Sequence, residues 1–167
     1  MRNIGFAAAV QKDELDRLLS EHNMGLAGEP EEHVVIMAEG KVLGGGLLWQ
    51  LEEDLFHLLV LGVEQESRNQ GTGQRLLKEI CSNPWRYCRD ASDCSVSEFR
   101  ITTMARGTAV AFYRKCGFKI CEPGELPVPF GDQCCECPDR MECSPEAMIF
   151  AGKITFTEGK HADEDIF

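Results

Sequence analysis

The sequence has no apolar run near the ~20 residues that a bilayer-spanning helix needs. The short apolar stretch in MRNIGFAAAV gives way at once to QKDELDR, so it reads as a first strand rather than a secretion signal. Basic residues are also scarce: 17 Lys and Arg against 28 Asp and Glu leave a net charge of −11. That balance speaks against a nucleic-acid coat or an anionic-membrane binder, because phosphate binding is mainly electrostatic. It suits a cationic substrate somewhat better. No internal repeat is visible. No Lys-Ser/Thr pair follows Gly71 and Gly73, which excludes a Walker-type loop, and the third glycine of a dinucleotide fingerprint is missing. The expectation is a cytoplasmic protein with no nucleic-acid or membrane partner.

What is present fits one globular domain. Of the 167 residues, 43% are hydrophobic and 27% charged, enough apolar surface for a core without metals or disulfides. Leu15, Leu18 and Leu19 recur at i, i+3 and i+4 inside QKDELDRLLSEH and predict an amphipathic helix. Gly25 and Gly28-Glu29-Pro30 end it. His33 to Ala38, Val42 to Leu51 and the almost continuously apolar LFHLLVLGV (Leu55 to Val63) then read as three antiparallel strands, the last covered on both faces. Gln74 to Ile80 reads as a helix closed near Pro84, and Cys88 to Ser97 as a loop. Glu98 to Met104 is a strand and Gly107 to Cys116 a helix capped by Gly117. Phe118 to Cys121 and Ala147 to Phe156 are the last strands, separated by an aperiodic Pro/Gly/Cys-rich segment. The fold class is mixed α/β (α+β).

Between the apolar strand and the second helix stands Arg68-Asn69-Gln70-Gly71-Thr72-Gly73-Gln74. A helix start leaves amide groups unpaired and carries partial positive charge, so this turn suits a phosphate. Gly71 and Gly73 remove side chains that would hold the phosphate off the backbone. A tight turn needing positive φ is the plainer alternative for the same pair.

Two stretches in order then resemble the GNAT superfamily of acyl-CoA-dependent N-acyltransferases. Val63-Glu64-Gln65-Glu66-Ser67-Arg68-Asn69-Gln70-Gly71-Thr72-Gly73 is similar to V-x-P-E-x-R-G-x-G-x-G, with Gln65 in place of Pro and Asn69 in place of Gly. Ala109-Val110-Ala111-Phe112-Tyr113-Arg114-Lys115-Cys116-Gly117-Phe118 resembles A-x-x-F-Y-x-x-x-G-F. The resemblance implies a GNAT fold, a mostly antiparallel twisted sheet of about six to seven strands that splays at the cofactor site. It implies acetyl-CoA as co-substrate, with the pantetheine arm beside Leu61 and Val63. The pyrophosphate would lie on Gln70, Gly71, Thr72, Gly73 and Gln74, with Arg68 and Asn69 beside it. Arg106 stands where the family often has an Asn that contacts the cofactor. The implied reaction is acetyl transfer to a primary amine, taken here to be a small molecule. A protein or peptide acceptor is the in-class alternative, and an acyl-CoA-binding redox or metal sensor the out-of-class one.

Tyr113 sits where the family's general acid sits. A phenol near ~10 facing a thiol near ~8.5 makes full proton transfer uphill by ~2 kcal/mol, so a hydrogen bond to the departing thiolate describes it better. For a base, His57 has a suitable intrinsic pKa. Glu53, Asp54 and Glu64 are further candidates, as is a water chain.

Nine cysteines is a high and odd count. Cys134, Cys137 and Cys143 supply three soft ligands for a zinc ion, with Cys116, Cys121 or Cys135 as a fourth. Burial, a Cys134–Cys143 disulfide, and a redox-sensitive lid over the acceptor pocket are the other readings. The expected organisation is one acyltransferase domain over 1–156 with a Cys-rich insertion at about 121–146, then an acidic tail at 157–167. A homodimer stays open.

Overall fold

A computed structural model describes residues 1–22 and 24–154, which build one seven-stranded sheet with helices on both faces. The strands are β1 (Arg2–Phe6), β2 (Val34–Ala38), β3 (Lys41–Glu52), β4 (Leu55–Val63), β5 (Glu98–Ala105), β6 (Lys119–Ile120) and β7 (Glu146–Lys153). The helices are α1 (Lys12–Ser20), α2 (Thr72–Ser82), α3 (Val110–Lys115) and the single turn α4 (Arg140–Cys143). Across the sheet the order is β1-β2-β3-β4-β5-β7-β6. Among the described residues only β4 and β5 pair in parallel.

The core divides by sheet face, as side-chain alternation requires. Val35 turns towards α1 and packs with Leu15, Leu18 and Leu19, while Val34 and Ile36 turn the other way to Leu76, Leu77 and Ile80 of α2. Each fully buried leucine contributes about 2 kcal/mol of apolar transfer. Gly45 lets α1 lie close on the sheet, since a Cβ there would come within 2.7 Å of Leu15 Cδ1.

Element boundaries move at several places. The first strand stops at Phe6 and a 3-10 turn, Ala9–Gln11, leads into α1. Helix α2 begins at Thr72, two residues before the apolar pattern starts, because Gly71 takes a left-handed conformation as its N-cap. The residues before α3 form a 3-10 turn, Gly107–Ala109. The aperiodic segment before β7 holds two 3-10 turns, Pro123–Glu125 and Phe130–Asp132, as well as α4. The expected last two residues of the final strand, and the acidic tail, lie outside the described residues.

One irregularity sets up everything that follows. Strands β4 and β5 stay paired from Leu55–Arg100 to Leu58–Thr103 and then part. At the same level the β4 residue facing β3 jumps from Leu58, opposite Leu48, to Val60, opposite Leu47, leaving Leu59 as a bulge.

Candidate active site

Beyond Leu58 the edge of β4 that faces β5 loses its strand partner, while β5 stays paired with β7 as far as Ala105. Two adjoining cavities open there. The first, about 690 Å³, lies between the end of β4 and the start of α2; the second, about 370 Å³, lies between the parted strands and the segment before β7.

The loop into α2 is shaped by two left-handed residues, Asn69 at φ 63° and Gly71 at φ 76°. The first helical bond of α2 runs from Arg75 N–H to the Gly71 carbonyl at 2.9 Å. The amides of Thr72, Gly73 and Gln74 precede it and belong to the donors that a helix start leaves unpaired. Thr72 Oγ1 is buried with no hydrogen-bond partner among the described residues. A Cβ on Gly71 would meet nothing within 4 Å, whereas one on Gly73 would lie 3.0 Å from Val63 Cγ2. Gly71 therefore leaves open space above the amides, and Gly73 lets α2 lie against the end of β4. Space, unpaired amides and an orphaned hydroxyl together fit a phosphate-bearing carrier.

Leu61, Val63, Arg68, Asn69, Gly71, Thr72, Gly73 and Gln74 all line this first cavity. Gln70 does not: its side-chain amide donates to the Glu66 carbonyl at 3.0 Å and its oxygen accepts from Arg2 at 3.4 Å.

Tyr113 lines both cavities. It is packed edge-on against Phe112 and Phe118, and burial pushes its hydroxyl pKa well above the usual tyrosine range. His22 also lines both. Its Nε2 donates to the Val63 carbonyl at 2.8 Å, and Arg68 Nη2 lies 3.3 Å from its Nδ1. Sequence reading missed His22, although its spacing carried the signal. It follows Leu18 by four and Leu19 by three residues, so two residues past the end of α1 it continues the line of that helix's buried leucines.

The remaining candidates lie elsewhere. Arg106 lines the second cavity only, because the chain leaves β5 on that side of the split. His57 is buried within the paired half of β4, hydrogen-bonded through Nδ1 to Thr102 Oγ1 at 2.8 Å and stacked on Phe130. Desolvation lowers its pKa to about 4. Glu53, bonded to Ser95 Oγ, and Asp54, 4.0 Å from Arg100, sit at the β3–β4 turn, at the far end of β4 from the cavities. Glu64 pairs with Lys41 at 3.2 Å and Arg17 at 3.8 Å and lines neither cavity.

All nine cysteines are free thiols. Cys134 and Cys143 line the second cavity, whereas Cys137 is exposed. Among the described residues no three His, Cys, Asp or Glu side chains are arranged to hold a metal ion. The zinc expectation for Cys134, Cys137 and Cys143 therefore finds no support: Cys134 and Cys143 line the cavity while Cys137 is exposed. Among the described residues no helix is long and apolar enough to cross a membrane.

Residues 29–120, more than half of the chain, match the acetyltransferase (GNAT) domain family, and the chain belongs to that family. No curated protein sequence matches it. Among solved structures, N-acetylglutamate synthase from Neisseria gonorrhoeae, complexed with coenzyme A and N-acetyl-glutamate, superposes with a TM-score of 0.67 at 17% identity. That match covers 90% of this chain but 35% of the synthase, so the chain spans about a third of that protein's length. Ard1 from Thermoplasma volcanium matches with a TM-score of 0.62 at 15% identity, over 93% of this chain and 99% of its own. The ribosomal-protein-S18-alanine N-acetyltransferase from Escherichia coli matches at 0.57 and 15% identity, over 96% and 98%. Likeness at this identity concerns the fold.

Proposed function

We propose that the first cavity holds acetyl-CoA and the second a small-molecule primary amine, and that the acetyl group passes directly between them in a ternary complex. The observation that carries this reading is the parting of β4 and β5 at Leu58, beside which two adjoining cavities open with Tyr113 in the wall of both. The amides of Thr72, Gly73 and Gln74 and the Arg68 guanidinium bind the diphosphate, with Asn69 and Gly71 shaping the loop. The unpaired edge of β4 at Leu61 and Val63 receives the pantetheine amides as an added strand would. Gln70 takes no part through its side chain. The segment 121–146 closes the acceptor side, within a single acyltransferase unit spanning 1–156. A cytoplasmic setting, where thiols stay reduced, suits the nine free cysteines.

Acetyl-CoA, when bound, supplies an activated thioester carbonyl. The protein contributes position and a proton held in place. Burial keeps Tyr113 protonated, so its hydroxyl donates a hydrogen bond to the sulfur as charge develops there, without surrendering the proton. Among the described residues no carboxylate lines either cavity, and both His22 nitrogens are engaged. The amine therefore sheds its proton to water at the open mouth.

Calorimetry with coenzyme A, followed by thiol-release assays on small amines and on peptides, tests the reading. Binding with turnover of small amines is expected. Turnover confined to peptides replaces the acceptor class, and absence of binding overturns the whole assignment.

A further inference from the structure

The charge at the rims of the two cavities is opposite to the charge of the chain. Over the full sequence acidic residues prevail by a net −11, yet the charged side chains lining the two cavities are Arg68, Lys115 and Arg106, all cationic. Arg68 and Lys115 line the first cavity, where a phosphate-bearing carrier explains them. Arg106 lines only the second; it is an exposed side chain at that cavity's edge, and among the described residues it has neither an ion-pair partner nor a side-chain hydrogen bond.

The fold holds this arginine beside the acceptor space. Arg106 is the residue between the end of β5 and the 3-10 turn that leads into α3, so it shares a short connection with Tyr113. The neighbouring Gly107 admits the main chain of the segment before β7: a Cβ there would fall 2.9 Å from the Ser144 carbonyl oxygen and 3.1 Å from that of Cys143. That contact fixes the far wall of the second cavity next to the guanidinium. Apart from Arg106 much of the lining is apolar and soft, with Met24, Leu59, Met104 and the Cys134 and Cys143 thiols. At about 370 Å³ the space is at the small end for a ligand site.

We infer that the acceptor is an amine carrying its own carboxylate, an amino acid with an apolar side chain, whose carboxylate is bound by Arg106 while its amine faces the thioester beside Tyr113. The inference rests on the proposed acyltransferase reading. A guanidinium matches a carboxylate through paired N–H donors. A polyamine or a lysine-rich peptide would bring a second positive charge into a space whose only formal charge, among the described residues, is already positive. The net acidity of the chain, which at first sight favours cationic acceptors, is thus not shared by the lining of this cavity.

The test is a thiol-release assay and a calorimetric titration on the same full-length protein. Leucine and methionine are compared with leucinamide, methioninamide and putrescine, and Arg106→Gln and Arg106→Lys with the parent. Acetylation of the two acids is expected, with KM rising roughly 10- to 100-fold for the amides. Arg106→Gln should raise the KM for leucine by a similar factor, with Arg106→Lys between the two. Coenzyme A affinity should stay within twofold in both variants. In calorimetry with coenzyme A present, N-acetylleucine should bind the parent and lose that binding in Arg106→Gln. Amides that serve as well as the acids overturn the inference and leave the acyltransferase reading intact. So does an Arg106→Gln variant that loses affinity for coenzyme A instead of leucine, or a parent that binds coenzyme A and accepts no amino acid. If the parent does not bind coenzyme A, the underlying reading itself falls.

Discussion

The two halves of β4 share one strand and have opposite fates. From Leu55 to Leu58 every side chain is buried and the backbone pairs on both sides. From Leu59 to Val63 burial is partial except at Gly62, and pairing survives only towards β3. A titratable group in the first half is silenced: His57 is held neutral by its surroundings and reaches neither cavity. In the second half, where Leu61 and Val63 carry no polar side chain, it is the main chain that is left open, and the proposed function uses it for recognition. Chemical capability in this fold is set by where pairing stops, not by which residue has the suggestive side chain.

The largest effect should come from closing the open half. Gly73→Val places methyl groups against Val63 and Phe112, already 3.0 and 3.4 Å from a bare Cβ. Several charge-assisted bonds are lost together, so coenzyme A affinity measured by calorimetry should fall ~1000-fold, about 4 kcal/mol. Unchanged affinity would break the contrast between the two halves.

The closed half is probed by acid. His57 has a folded pKa of about 4 against 6.5 unfolded, so below pH 6.5 the unfolded chain takes up the proton first. Stability is therefore full above pH 6.5 and falls as pH drops towards 4, by about 3 kcal/mol in total. His33, also lowered by burial, acts in the same direction. Urea midpoints across this range should show a shallower decline in His57→Gln, whose kcat at pH 8 should stay within about threefold. A kcat collapse in that variant would restore His57 as a reacting group.

Tyr113→Phe should lower kcat by ~100-fold, with coenzyme A affinity nearly unchanged, because the lost hydrogen bond forms only as the sulfur departs. The smallest effect belongs to His22→Ala. It removes the bond to the Val63 carbonyl and the support of Arg68, which should weaken coenzyme A binding several-fold, about 1 kcal/mol. Alkylation offers a separate gauge of the second cavity. Exposed Cys135 and Cys137 should react first without loss of activity, while Cys134, its thiol pKa raised by burial and by neighbouring Cys143, reacts later and takes activity with it. Peptide mapping against residual turnover checks the order.

Much of this was legible in the residues. The apolar run of β4, the glycines at 71 and 73 and the Phe112-Tyr113 pair were readable because each needs only local chemistry: burial, backbone freedom, helix spacing. The split came only with the family resemblance, and its place at Leu59 was not readable from the residues, since a bulge there depends on how three strands register against one another. Which side of the split a residue faces was hidden with it. Arg106 has the composition of a phosphate ligand but lies on the acceptor side, and Gln70 sits in the glycine loop with its side chain spent on Glu66 and Arg2. His57, the more conspicuous histidine, sits behind the seam, whereas His22 was concealed by the end of a helix.

Leu61, Thr108, Ala109, Tyr113 and His22 front both chambers, so the two share one wall. A single inhibitor that tethers a coenzyme A arm to an acceptor mimic would find its second anchor at millimolar effective concentration once the first has seated. Such a conjugate should outbind either half alone by orders of magnitude, and it would report the span of the shared wall through the linker length that holds tightest.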